Sequence, residues 1–177
     1  MSNLKIGDQA IAFDLPGVDG KRHALADYAA KEVVVVVFTC NHCPYAQAWE
    51  GRLIQIQADY AAKGVQLIAI NANDAVKYPA DSFPKMQERA AAQGFNFPYL
   101  HDETQAIARA YGATRTPEVF VFDRERKLRY QGTVDDNYEE PTAVKQPYLR
   151  RALDATLAGQ AAPIAETAPV GCTIKWK

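Results

Sequence analysis

The sequence predicts an α/β domain built around a mixed sheet, and three features carry that expectation. Residues 32–38 form the β-branched run Glu32-Val33-Val34-Val35-Val36-Val37-Phe38, the composition of a strand covered on both faces. Between 44 and 63, Ala46, Trp49, Leu53, Ile56 and Tyr60 recur at spacings of three and four and lead into a second apolar run, 65–71. Further on, the extended runs 118–122 and 127–131 flank Asp123-Arg124-Glu125-Arg126, the arrangement of an antiparallel hairpin.

The helix over 44–63 starts at Pro44 and stops at Gly64, the end residues such a helix favours. A strand, a helix of that length and another strand make a βαβ unit, whose two strands run parallel. An insert follows, with loop signals at Asn71-Ala72-Asn73-Asp74 and Tyr78-Pro79 and a helix over 83–93 closed by Gly94. Residues 97–100 form a short extended piece, 103–111 a third helix closed by Gly112, and 147–158 a last helix ended by Gly159. The stretch 160–170 is rich in Ala and Pro and reads as a linker. In the final residues, 172–177, apolar and polar side chains alternate, so a docked strand would put Cys172, Ile174 and Trp176 on one inner face. The expected division is a domain over 1–159 and a linker with docked tail over 160–177.

Composition narrows the partners. The 177 residues include 20 basic and 21 acidic side chains, 48% are hydrophobic and 23% charged, as in an ordinary globular protein. A net charge of −1 offers no footprint for nucleic acid or an anionic membrane, so neither is an expected partner. The start, Met1-Ser2-Asn3-Leu4-Lys5-Ile6-Gly7-Asp8, lacks the apolar stretch of a secretory signal, and a soluble, cytoplasmic chain is the expectation. Three cysteines are too few, and an odd number, for a disulfide scaffold.

Two of them stand in Thr39-Cys40-Asn41-His42-Cys43-Pro44-Tyr45, between a buried strand and the start of a long helix. Free backbone N–H groups and the helix dipole converge at that junction and favour negative charge, so a thiol there is stabilised as its reactive thiolate. Pro44 suits the first helical position, which leaves Cys43 at or near the N-cap and makes it the candidate nucleophile. His42, beside it, would favour the thiolate when protonated. Cys172 reads either as a small apolar residue under the tail or as a resolving thiol.

With the strand–cysteine–helix junction, Thr116-Pro117 opening a strand, the hairpin after it and the closing helix, the chain resembles thioredoxin-fold proteins of the redoxin branch, between thioredoxin-like reductases and peroxiredoxins. The Asn-His-Cys-Pro motif and the ending Gly-Cys-Thr-Ile-Lys-Trp-Lys resemble a subgroup of that family. The resemblance implies a thioredoxin-like fold, a mixed central sheet flanked by helices, with an N-terminal extension and a C-terminal tail. It also implies a cis bond before Pro117, in a loop facing the active-site cysteine. The motifs depart from both branches. No cysteine stands three residues after Cys43, where Ala46 is found, so this C-x-x-C is not simply a thioredoxin dithiol. Cys43-Pro44 fits the end of the peroxiredoxin motif, but Thr39 is one residue too far upstream and Val36 replaces its proline. Arg115 resembles the arginine that peroxiredoxins set beside their cysteine.

These residues suggest a thiol–disulfide oxidoreductase in which Cys43 attacks a substrate disulfide and Cys40 resolves it, with no prosthetic group. Its partners would be protein or small-molecule thiols and disulfides and an electron donor of thioredoxin or glutathione type. The alternative is a thiol peroxidase acting on hydroperoxides, with Cys43 peroxidatic and Cys40 or Cys172 resolving. A third reading is a copper-binding assembly protein using C-x-x-C-P and His101 as a distant ligand. Structural zinc is disfavoured, because Cys40, His42 and Cys43 lie too close in sequence to supply most of four ligands. Trp49 and Tyr60 read as core, and Asp135-Asp136 with Glu139-Glu140 as a solvated acidic loop.

Overall fold

The computed structural model describes residues 2–177. A hairpin of β1 (Asp14–Pro16) and β2 (Arg22–Ala24) precedes β3 (Val33–Phe38), α1 (Pro44–Tyr60) and β4 (Val65–Asn71). Then come α2 (Phe83–Gln93), β5 (Tyr99–His101), α3 (Ala106–Tyr111) and β6 (Arg115–Thr116). The chain closes with β7 (Glu118–Phe122), β8 (Leu128–Gly132), α4 (Tyr148–Leu157) and β9 (Cys172–Thr173). The five-stranded sheet has the order β5-β4-β3-β7-β8. β3 and β4 are parallel and β7–β8 is an antiparallel hairpin, as the sequence predicts.

β3 is buried along its whole length because it lies centrally and feeds two cores. Val33, Val35 and Val37 face Trp49, Leu53 and Ile56 of α1 and Leu149 and Leu153 of α4. Val34, Val36 and Phe38 share the other face with their cross-strand neighbours Phe120 and Phe122 and cluster with Tyr111 and Ile174. Each buried valine contributes about 1.5–3 kcal/mol relative to exposure, which is why a run without a polar residue is tolerated here.

Four differences from the sequence reading have local causes. The hairpin β1–β2 is absent from it, since two three-residue strands carry too little alternation to register. α3 begins at Ala106 rather than near Glu103, because Gln105 takes a left-handed conformation with φ 67°. Its side-chain Nε2 donates to Ala72 O at 2.8 Å and Lys175 O at 2.9 Å, tying the tail to the body. The stretch read as a linker is pinned along β8, where Gln131 N donates to Ala165 O and Thr167 N to Gln131 O, both at 3.0 Å. Asp135 is not part of a solvated loop: it is 6% exposed, accepting from Trp49 Nε1 at 3.0 Å and from Arg52 Nη1 at 2.8 Å.

In the tail, only Cys172 and Thr173 form a strand. β9 pairs antiparallel with β6, setting Cys172 opposite Thr116, and Ile174 N donates to Thr114 O at 3.0 Å. Ile174 is buried, and Trp176 lies under the Arg109 guanidinium, 4.4 Å from the ring centroid. No helix among the described residues is long and apolar enough to cross a membrane.

Candidate active site

β3 ends where α1 begins, so chain geometry alone brings the loop 39–43 to the C-terminal end of this central strand. Cys43 is the N-cap of α1, with an extended backbone (φ −75°, ψ 124°), and Pro44 follows as the first helical residue. Opposite lies the loop entering β7, where the Thr116–Pro117 bond is cis. Cys43 Sγ sits 3.3 Å from the Thr116 carbonyl and Cys40 Sγ 3.4 Å from Thr116 Oγ1. Because Cys172 pairs with Thr116 across β6–β9, the tail delivers a third thiol to the same place. All three cysteines are free, and Cys172 packs on the small cluster of Cys40, Cys43 and Ala46.

The three thiols are electrostatically unequal. The Cys43 pKa is lowered first by hydrogen bonding from the Cys40 thiol, and further by the Cys172 thiol and the N–H groups of Ala46 and Cys172, against a burial penalty. The Thr116 carbonyl accepts only from the protonated thiol and so opposes this effect; the donors outnumber it. Cys40 is raised, chiefly by its hydrogen bond to Cys43 and then by burial and the Asp81 carboxylate. Cys172 is also raised, by burial and then by Cys43. One negative charge is therefore shared by the cluster and resides on Cys43. Thiolate ultraviolet absorbance, titrated in wild type and in Cys43→Ser, should show one thiolate forming well below the ordinary value of about 8.5. That step should vanish in the variant; if it persists, the charge lies on another sulfur.

The other expected site residues are placed as follows. His42 is half-exposed, with Nδ1 against the Asp81 carboxylate but out of hydrogen-bonding alignment, and its ring stacks on Tyr78 at 5.9 Å. Arg115 is exposed and donates from Nη1 to the Gly171 carbonyl at 3.1 Å, so its charge acts on Cys172. His101 stacks on Phe83 at 5.8 Å and is not among the close ligand-type groups around Cys40, which are His42 and Asp81. That removes the distant ligand on which the copper reading relied.

Sequence reasoning missed Asp81. It is fully buried, its Oδ1 accepting from Asn41 N at 2.6 Å and Asn71 Nδ2 at 3.1 Å, its Oδ2 from Asn73 Nδ2 at 3.0 Å. Tyr99 completes the network by donating to Asn41 Oδ1 at 2.7 Å. The available signal was the polar Asn71-Ala72-Asn73-Asp74 directly after an apolar strand, where buried amides need partners.

The same architecture recurs among solved structures. A crystal structure of an uncharacterized conserved protein from Geobacillus kaustophilus is 42% identical, covers 99% of this chain and 95% of its own, and superposes with a TM-score of 0.93. Peroxidoxin BcpB from Mycobacterium tuberculosis shares the fold at 20% identity and a TM-score of 0.63, covering 88% of this chain and 96% of its own. A thiol-disulfide oxidoreductase, ResA, from Geobacillus thermodenitrificans is 28% identical over 128 residues, 71% of this chain and 68% of that protein. The domain is thioredoxin-like, of the redoxin kind. Within that class the chain belongs to the AhpC/TSA family, whose model matches residues 6–131; the tail that carries Cys172 lies beyond the matched segment.

Proposed function

We propose that the protein is a thiol–disulfide oxidoreductase with Cys43 as nucleophile and Cys40 as resolving thiol. The observation that carries this is the position of Cys43 at the α1 N-cap, with the Cys43 and Cys40 sulfurs both held against Thr116, at its carbonyl and its hydroxyl. The Cys43 thiolate attacks one sulfur of a substrate disulfide, forming a mixed disulfide and expelling the other sulfur as thiolate. Cys40 then loses its proton to solvent and attacks Cys43 Sγ, expelling the second substrate thiolate. The substrate leaves reduced and the protein holds a Cys40–Cys43 disulfide. A dithiol donor of thioredoxin type, or glutathione, returns it to the reduced state. The similarity to ResA supports this chemistry. The sparse, odd cysteine count supports work in a reducing, cytoplasmic compartment.

Cys43 is 0% exposed, because Cys172 and Thr116 cover it. A bulky disulfide therefore reaches Cys43 only once β9 (Cys172–Thr173) lifts. That observation favours a second reading for small oxidants, in which hydroperoxide oxidises Cys43 to a sulfenic acid with release of water or alcohol. Cys172 then condenses with it, releasing water and forming a Cys43–Cys172 disulfide.

Mass-spectrometric disulfide mapping after one equivalent of oxidised glutathione, and separately of hydrogen peroxide, tests both. A Cys40–Cys43 bond with the disulfide oxidant supports the first reading, and a Cys43–Cys172 bond with peroxide supports the second. Three reduced thiols under both oxidants defeat both. Gly171→Ala separates them further: a Cβ there would stand 2.0 Å from the Thr116 carbonyl oxygen, a clash of backbone with side chain that must push the tail away. The variant should lose most of the Cys43–Cys172 product and keep the Cys40–Cys43 product.

A further inference from the structure

The feature that the redox reading does not use is the group on the inner side of Cys40. Cys40 Sγ, a His42 ring nitrogen and an Asp81 carboxylate oxygen all lie within 4.8 Å of one another. Cys40 is 2% exposed and Asp81 is fully buried. Among the described residues, the only basic side chain within ion-pair distance of Asp81 is His42. Its other partners, Asn41 N, Asn71 and Asn73, are neutral donors. A buried carboxylate without a full cation beside it is costly. His42 Nδ1 is itself buried and makes no hydrogen bond. A sulfur, an imidazole nitrogen and a carboxylate oxygen thus converge on one point where positive charge is wanted.

We propose that Cys40, His42 and Asp81 form a binding site for a divalent cation of the zinc type, with a water in the fourth position. The mixed donor set suits Zn2+ better than Cu(I), which prefers sulfur ligands, or Mg2+ and Ca2+, which prefer oxygen. Zinc bonds of roughly 2.0–2.3 Å in a tetrahedron put donors about 3.3–3.8 Å apart, so the site closes when Cys40 Sγ moves in from at most 4.8 Å and the His42 Nδ1–Asp81 pair, now in direct contact, opens to admit the ion. The carboxylate is already oriented by the three asparagines, the kind of outer support that metal-bound carboxylates have. On binding, the Cys40 thiol releases its proton to solvent, His42 offers a neutral nitrogen, and Asp81 keeps its bonds from Asn41 and Asn71 at Oδ1 while Oδ2 turns to the metal. Entry is from the surface groove that His42 lines with Asn41, Gln47, Ala80, Lys85 and Arg89. A bound cation would also withdraw Cys40 from thiol exchange; that consequence rests on the oxidoreductase reading, whereas binding itself does not.

The test is titration of the fully reduced protein with Co2+ as a spectroscopic stand-in, followed by displacement with Zn2+. The expected result is one saturable equivalent with a thiolate-to-cobalt charge-transfer band and the visible intensity of tetrahedral cobalt. Cys40→Ser should abolish the charge-transfer band, and His42→Ala should weaken binding at least tenfold, the minimum scale for losing a supporting group. Cys172→Ser should leave both unchanged. His42 is half-exposed, so its variant keeps the fold, as far-ultraviolet circular dichroism would verify; Asp81→Asn, in the centre of a buried network, is a weaker choice. Absence of saturable cobalt binding overturns the proposal. So does binding that survives His42→Ala but is lost in Cys43→Ser or Cys172→Ser, since the metal would then be held by the thiols alone. Because the readout is optical and needs no turnover, it stands or falls separately from the redox assignment.

Discussion

Cys43→Ser is expected to abolish both insulin reduction and peroxide consumption, with a loss on the order of 10⁴–10⁶-fold, the scale seen when a catalytic nucleophile is removed. The physical reason is that the site places its single negative charge on one sulfur. The Cys40 thiol, the Cys172 thiol and the N–H groups of Ala46 and Cys172 all donate toward Cys43. The contact with Cys43, then burial, raises Cys40, while burial, then Cys43, raises Cys172. Serine keeps the volume but ionises far too weakly to take over. Cys40→Ser should behave differently: Cys43 still attacks, and a mixed disulfide with substrate accumulates because its resolving thiol is gone. Retention of more than a tenth of wild-type activity by Cys43→Ser would overturn the assignment of the nucleophile.

Asp135→Ala is expected to cost about 3–5 kcal/mol of stability without touching the thiols, the penalty for removing one partner of a buried ion pair. Arg52 lies against the Asp135 carboxylate with only 14% of its side chain exposed, and Trp49 Nε1 donates to the same group. Alanine leaves a largely buried guanidinium and an indole N–H without their shared acceptor. Asp135→Asn, which retains an acceptor for Trp49 but not the charge, should fall between wild type and alanine. Urea unfolding checks the order, and a loss below about 1 kcal/mol for Asp135→Ala would mean that Arg52 finds its partner in the carbonyls of Asn137 and Tyr138, which it already touches.

These two residues differ in how far the sequence revealed them. The place of Cys43 at a helix N-cap was legible because it depends on neighbours in the chain: an apolar strand before it, Pro44 after it and a helical period beyond it. Asp135 was misread because the groups that bury it, Trp49 and Arg52, lie more than eighty residues away, and a pair of adjacent acids looks the same on the surface or beneath it. The same contrast runs through the fold. β3, α1, β4, α2 and the β7–β8 hairpin announce themselves by periodicity and by their end residues. β1 and β2 are too short to do so, and the left-handed turn at Gln105 depends on a carbonyl of the distant tail.

What the sequence by itself determined is the set of local facts: a buried strand leading to a helix N-cap and a thiol at that cap. Those follow from backbone hydrogen bonding, side-chain period and the helix dipole, all of which act over a few residues. Only the tertiary structure decided which distant groups meet that thiol. It brought Cys172 from the tail to Cys43 by pairing β9 with β6. It also drew His42 toward Asp81 and Cys40, because the end of β4 and the turn at 79–81 fold back against the loop 39–43. Such encounters are set by loop closure and packing across the whole chain, and nothing in the spacing of a single sequence encodes them.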